Sequence, residues 1–142
     1  MTFIVTFSVE GDPVGKQRAR HRRVGNFVRT YTPAKTVDYE TRIREAGRLA
    51  MGSQEPLETP VTMFLYIRTG IPKSYSKKRR EACLSGQEKP TKKPDSSNIL
   101  KAVEDGLNGV VYVDDCQIVN HHITKVYASE SGVEVMVKEC LE

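Results

Sequence analysis

Between Ser97 and Leu107 apolar residues recur at helical spacing. Ile99, Leu100, Val103 and Leu107 fall on one side of a helix at about 100° per residue. Such a stripe needs a partner surface, so the rest of the chain has to supply one. Asn98, Lys101 and Asp105 form a separate polar stripe at i, i+3 and i+7. Ser96 or Ser97 is placed to cap the N-terminus, and Asn108-Gly109 stops the helix. A second helix is expected over 34–50, with Tyr39, Ile43, Ala46 and Ala50 on its apolar side and Arg44 and Arg48 opposite. FIVTFSV at 3–9 reads as a strand and VTMFLYIRT at 61–69 as a central strand. QIVNHHITKVY, the turn ASESG and VEVMVKE read as a hairpin. The basic stretch KQRARHRRVGNFVRTYTP is β-like toward its end, and a short helix is expected around 75–84. No internal repeat or low-complexity segment interrupts the pattern.

The 142 residues suffice for one domain with a real core. A hydrophobic fraction of 38% against 28% charged residues fits a soluble globular chain rather than a disordered one. No apolar run approaches membrane-spanning length. The opening MTFIVTFSVEGDP is a strand pattern without a signal-peptide cleavage region, so a cytoplasmic location with no membrane partner is expected. Cys83, Cys116 and Cys140 are odd in number and widely spaced, which argues for free thiols over a zinc ribbon or a disulfide framework.

Charge is unevenly placed. Residues 1–93 hold 19 Lys and Arg against 9 Asp and Glu, whereas residues 94–142 hold 3 against 9. The front half suits a polyanion and the back half something that needs carboxylates. Nucleic acid with a divalent metal satisfies both. Five acids, Asp95, Glu104, Asp105, Asp114 and Asp115, gather between Lys93 and Asp115. A strand returning beside the helix could bring Asp115 close to Asp95. Carboxylates so placed repel unless a cation neutralises them. Mg²⁺ takes oxygen ligands and needs only one or two Asp plus a substrate phosphate. It can polarise that phosphate and acidify water, and Lys101 adds positive charge for the transition state. The alternative is equally physical: a helix ordinarily turns its charges to solvent, and Asp-Asp before a strand is common turn chemistry.

The stretch KPDSSNILKAVEDGLNGVVYVDDCQIV resembles the signature of the RusA family of Holliday-junction resolvases. The front segments GDPVGKQRARHRR and YTPAKTVDYE are also similar to family members, so the resemblance spans nearly the whole chain. It implies an α/β fold: a single domain over 1–142, with a mixed β-sheet packed against two or three helices. It also implies a homodimeric, Mg²⁺-dependent endonuclease (Mn²⁺ being possible) that nicks four-way DNA symmetrically in recombination and repair, common in phages and prophages. Carried over by position, the catalytic residues are Asp95, Lys101 and Asp115. The metal ligands are Asp95 and Asp115 with Asp114, Asn98 contacts DNA, and Asp105 matches a further acidic position. Ser97 departs from the pattern, because an aspartate stands there in the family. Ser97 can hold water in place of a carboxylate, can merely cap the helix, or can mark a protein that binds junctions without cutting them.

Lys16, Arg18, Arg20, Arg22 and Arg23 form the basic group expected to contact DNA, with Arg29 nearby. In an extended segment Arg18, Arg20 and Arg22 point to one side. Lys77, Lys78, Arg79 and Arg80 make a second group that is equally well a solvated surface. Phe27, Tyr31 and Tyr75 either stack on exposed bases or serve as core and rim residues. His121 and His122 are adjacent, so in a strand they face opposite ways, and neither is assigned as a ligand. Three functions compete: a Mg²⁺-dependent structure-selective endodeoxyribonuclease, a non-catalytic branched-DNA-binding protein, and an RNA-acting or general nuclease.

Overall fold

The computed structural model describes residues 2–141. The chain runs β1 (Ile4–Glu10), β2 (Arg20–Val24), β3 (Phe27–Tyr31), α1 (Ala34–Met51), β4 (Val61–Gly70), α2 (Lys77–Ser85), α3 (Ser96–Leu107), β5 (Ile118–Ala128) and β6 (Gly132–Glu139). A single 3₁₀ turn, Asp115–Gln117, leads into β5. The fold is α/β: a mixed four-stranded sheet in the order β1-β6-β4-β5, three helices, and a separate β2-β3 hairpin.

β4 lies inside the sheet, as its apolar run requires. Val61, Met63, Leu65 and Ile67 are buried, facing Ile99, Val103 and Leu107 of α3 and Ile43 of α1 within one core. The opposite sheet face stays open. There Phe64 stacks on His122 with ring centroids 4.7 Å apart.

The hairpin expected between QIVNHHITKVY and VEVMVKE does not form. β4 stands between the two strands, pairing parallel with β5 and antiparallel with β6. The Ser129–Ser131 link reverses the chain, but it also has to pass the end of β4. Arg68 secures it there, donating to the Glu130 carbonyl at 2.9 Å and to the Glu10 carboxylate at 3.0 Å. A methyl group on Gly132 would collide with that guanidinium and with the Val9 carbonyl. Turn chemistry marks where a chain reverses. It does not say which strand lies alongside, and the most apolar strand takes both neighbours.

The helices differ from expectation in detail. The buried side of α1 is Thr36, Tyr39, Ile43, Gly47 and Met51, while Ala50 is exposed. At the start of α3 the cap position belongs to Asp95, without a side-chain capping bond, and Ser96 and Ser97 lie in the first turn. The two helices cross at Gly106, where an added Cβ would sit 2.9 Å from the Glu40 carbonyl and 3.0 Å from Ile43. That close crossing sets Glu40 beside the polar stripe of α3.

Candidate active site

The polar stripe of α3 meets the turn before β5. Lys101 Nζ lies 2.9 Å from Asp105 Oδ1, one helical turn on, and 3.0 Å from Asp115 Oδ2. These two carboxylates, Asp105 first, hold the lysine well above its ordinary pKa, so it is a permanent cation. A second lysine reaches the same centre from the segment after β1. Lys16 Nζ sits 2.7 Å from Glu40 Oε2 and 3.1 Å from Asp105 Oδ2. Burial pulls its pKa down, but Glu40 and Asp105 outweigh that, and the net shift is upward. The Lys16 backbone N–H also donates to the Asn98 carbonyl at 2.8 Å, lashing this segment along α3.

Asp114 and Gln117 place Asp115. Asp114 caps the 3₁₀ turn by accepting from the Cys116 N–H at 3.3 Å, and its own N–H donates to Gln117 Oε1 at 2.9 Å, a reciprocal capping box. Hydrogen bonds from Cys116 hold the Asp114 carboxyl below its usual range. Gln117 Nε2 then donates to the Leu57 and Thr59 carbonyls at 2.8 and 2.9 Å, bolting the turn to the approach to β4. Beneath the centre, the fully buried Tyr112 donates to the Glu104 carbonyl at 2.8 Å. Burial raises the pKa of Glu104, with partial offset from His121, whose Nε2 is 3.4 Å from Glu104 Oε1. His121 and His122 do face opposite ways, toward Glu104 and Phe64 respectively.

Asp95 takes part in none of these ion pairs. It is exposed at the head of α3 and lines an open pocket of about 450 Å³ with Lys16, Gln17, Lys35, Lys93 and Asn98. Ser97 is exposed in the adjoining turn. Among the described residues no three His, Cys, Asp or Glu side chains are grouped to hold a metal ion. Asp115 offers a carboxylate held in place by its turn and Asp95 another that is open to solvent, both oxygen donors of the kind a hard cation takes. Arg18, Arg20, Arg22 and Arg23 are exposed. The last three lie on the β2-β3 ribbon that follows the Lys16 segment.

The sequence reading did not single out Glu40 or Gln117, and it counted Glu104 among the five acids without giving it a role. Gln117 had a signal, since an acid followed three residues later by Gln is a capping-box pattern. Glu40 had none, because only the helix crossing brings it near.

The exposed basic ribbon follows in the chain on the segment that carries Lys16 to the lysine–carboxylate centre, all on a mixed α/β fold. The family model "Endodeoxyribonuclease RusA" matches residues 10–138, and the chain belongs to that family, whose activity is endonucleolytic and directed at Holliday-junction DNA. The chain is also similar to the uncharacterized protein YqaN of Bacillus subtilis (strain 168), with 36% identity over 141 residues, covering 95% of this chain and 96% of the relative.

Proposed function

We propose that this chain is a Mg²⁺-dependent, structure-selective endodeoxyribonuclease, with Mn²⁺ as a possible substitute, that resolves four-way junctions by paired symmetric nicks. It works as a single-domain subunit of a homodimer, because two coordinated nicks match the near two-fold symmetry of the junction. Its setting is DNA recombination and repair in the cytoplasm. The observation that carries the reading is the convergence of Asp105 and Asp115 on Lys101 Nζ, at 2.9 and 3.0 Å, next to the basic segment.

Asp95 and Asp115 would hold the cation. When bound, the cation supplies polarisation of a phosphoryl oxygen and acidification of water. The remaining work belongs to the chain. Lys101 meets the charge that develops on the scissile phosphate, already oriented by its two carboxylates. Asp114 assists by fixing the turn that carries Asp115. Asn98 and Lys16 flank the pocket at Asp95, where a backbone phosphate can enter. Arg18, Arg20, Arg22 and Arg23 hold phosphates of the arms and set register without reading sequence.

A labelled four-way junction with linear duplex as control, in Mg²⁺, Mn²⁺ or EDTA, tests this. Paired nicks that need metal are expected, abolished by Asp115→Asn and Asp95→Asn. Lys101→Ala should slow them by about 10²–10³-fold, the size of losing one transition-state charge donor. Metal-independent nicks, or full activity in Asp115→Asn, would overturn the assignment. A second reading draws on Ser97, exposed in the first turn of α3 where the family pattern has an aspartate: a junction-binding protein without cleavage. Tight, salt-sensitive binding with no nicks in any metal would favour it.

A further inference from the structure

The β2-β3 hairpin carries more than positive charge. All ten of its strand residues are exposed. From Pro13 to Val37 the sequence has seven Lys and Arg and no acid. Directly paired residues of an antiparallel ribbon share a face. One face therefore carries Arg20 with Tyr31, Arg22 with Arg29, and Val24 with Phe27 at the tip. Phe27 is 76% exposed and its neighbour Val28 67%, flanking the Gly25-Asn26 turn. The apolar residues at the tip thus serve no core, which removes the core reading of Phe27. The ribbon projects from the segment whose Lys16 N–H bonds to α3 and whose Gln17 N–H donates to Thr36 Oγ1 at 3.2 Å at the start of α1. Its root is the catalytic helix itself.

Charge complementarity selects a polyanion for this ribbon, and its shape fits a nucleic-acid groove, since a two-stranded ribbon is narrow enough for the major groove. An aromatic tip adds a requirement. Inside a continuous duplex it would have to force stacked bases apart, as apolar wedges do at a cost. In an open four-way junction, whose arms are not stacked end to end, the last base pair of each arm offers a face with no neighbour, and an aromatic ring can stack there without that cost.

We propose that the β2-β3 hairpin is a branch-point wedge: Arg20, Arg22 and Arg29 grip phosphates of the arms while Phe27, backed by Val24, stacks on the base pair at the centre of a four-way DNA. The proposal rests on the junction-resolving reading and deepens it, because it makes the hairpin tip the source of structure selectivity.

The experiment uses full-length protein in EDTA, with four-way and linear DNA carrying 2-aminopurine either at the branch point or within an arm. Wild-type protein should change the branch-point signal and leave the arm signal alone. Phe27→Ala should lose that change and weaken junction binding about tenfold, the scale of one lost base–aromatic stack, without weakening duplex binding. The chain contains no tryptophan, so Phe27→Trp supplies a unique reporter. Its emission should be quenched by the junction and not by the duplex. Junction selectivity that survives Phe27→Ala, with an unaltered 2-aminopurine signal, overturns the wedge alone. A wild-type protein that binds junction and duplex equally overturns the junction reading and the wedge with it.

Discussion

Gln117 shows how much a single side chain can hold. Its amide oxygen accepts from the Asp114 N–H and its nitrogen donates to two carbonyls of the preceding loop. Losing it removes two part-buried hydrogen bonds, although the Leu57 carbonyl still accepts from the Val113 N–H. Gln117→Ala is expected to lower stability by about 2 kcal/mol, read from the urea midpoint. It should also reduce nicking more than the stability loss explains, because Asp115 rides on the same turn. A nicking rate equal to wild type at full folding would show that the turn does not position Asp115. Lys101 and the Asp-Asp pair could be singled out in the sequence through the resemblance of their stretch to a family signature, since spacing alone reads equally as a solvated face and a turn. What they do with each other could not, since the Lys101–Asp115 contact depends on how the chain folds back after Tyr112.

Most elements could be read from period and composition. α3, β4 and the strand at the start of the chain lie close to where apolar spacing puts them. Pairing was the part that local pattern hid. β5 and β6 look like hairpin partners, yet Arg68 and Gly132 carry their link past the end of β4. The β2-β3 ribbon was legible as a basic β-like stretch, while its lack of any burial was not. At the helix crossing, Gly106 lets α1 and α3 approach, so Gly106→Ala is expected to destabilise the fold by about 1–3 kcal/mol through overpacking. The same variant should loosen Lys16, because Glu40 and Asp105 belong to the two helices that would be pushed apart. Chemical denaturation gives the first effect, and the reactivity of the Lys16 amine toward an acylating reagent the second. Unchanged stability would mean that the helices shift apart freely.

Over the whole molecule, charge segregation in the sequence becomes segregation in space. Basic residues occupy the ribbon, whereas acids cluster where α3 meets the turn before β5. Each phosphate neutralised by an arginine contributes to the salt dependence of binding. The double variant Arg20→Ala/Arg22→Ala is expected to flatten the slope of log affinity against log salt by about 1.8, at about 0.9 per lost contact. Retention of the full slope would remove those two arginines from the interface. Composition announced a polyanion partner, but the family match supplied its identity as DNA.

The lashing of Lys16 has a mechanical consequence. Its main chain is tied to α3 at Asn98 and its side chain to Glu40 and Asp105, four residues before the ribbon begins. The ribbon is thus a lever with its fulcrum at the carboxylates. Under the proposed wedge, torque on the tip would be delivered to the acids that orient Lys101, so that a badly seated junction would disturb them before any bond is cut.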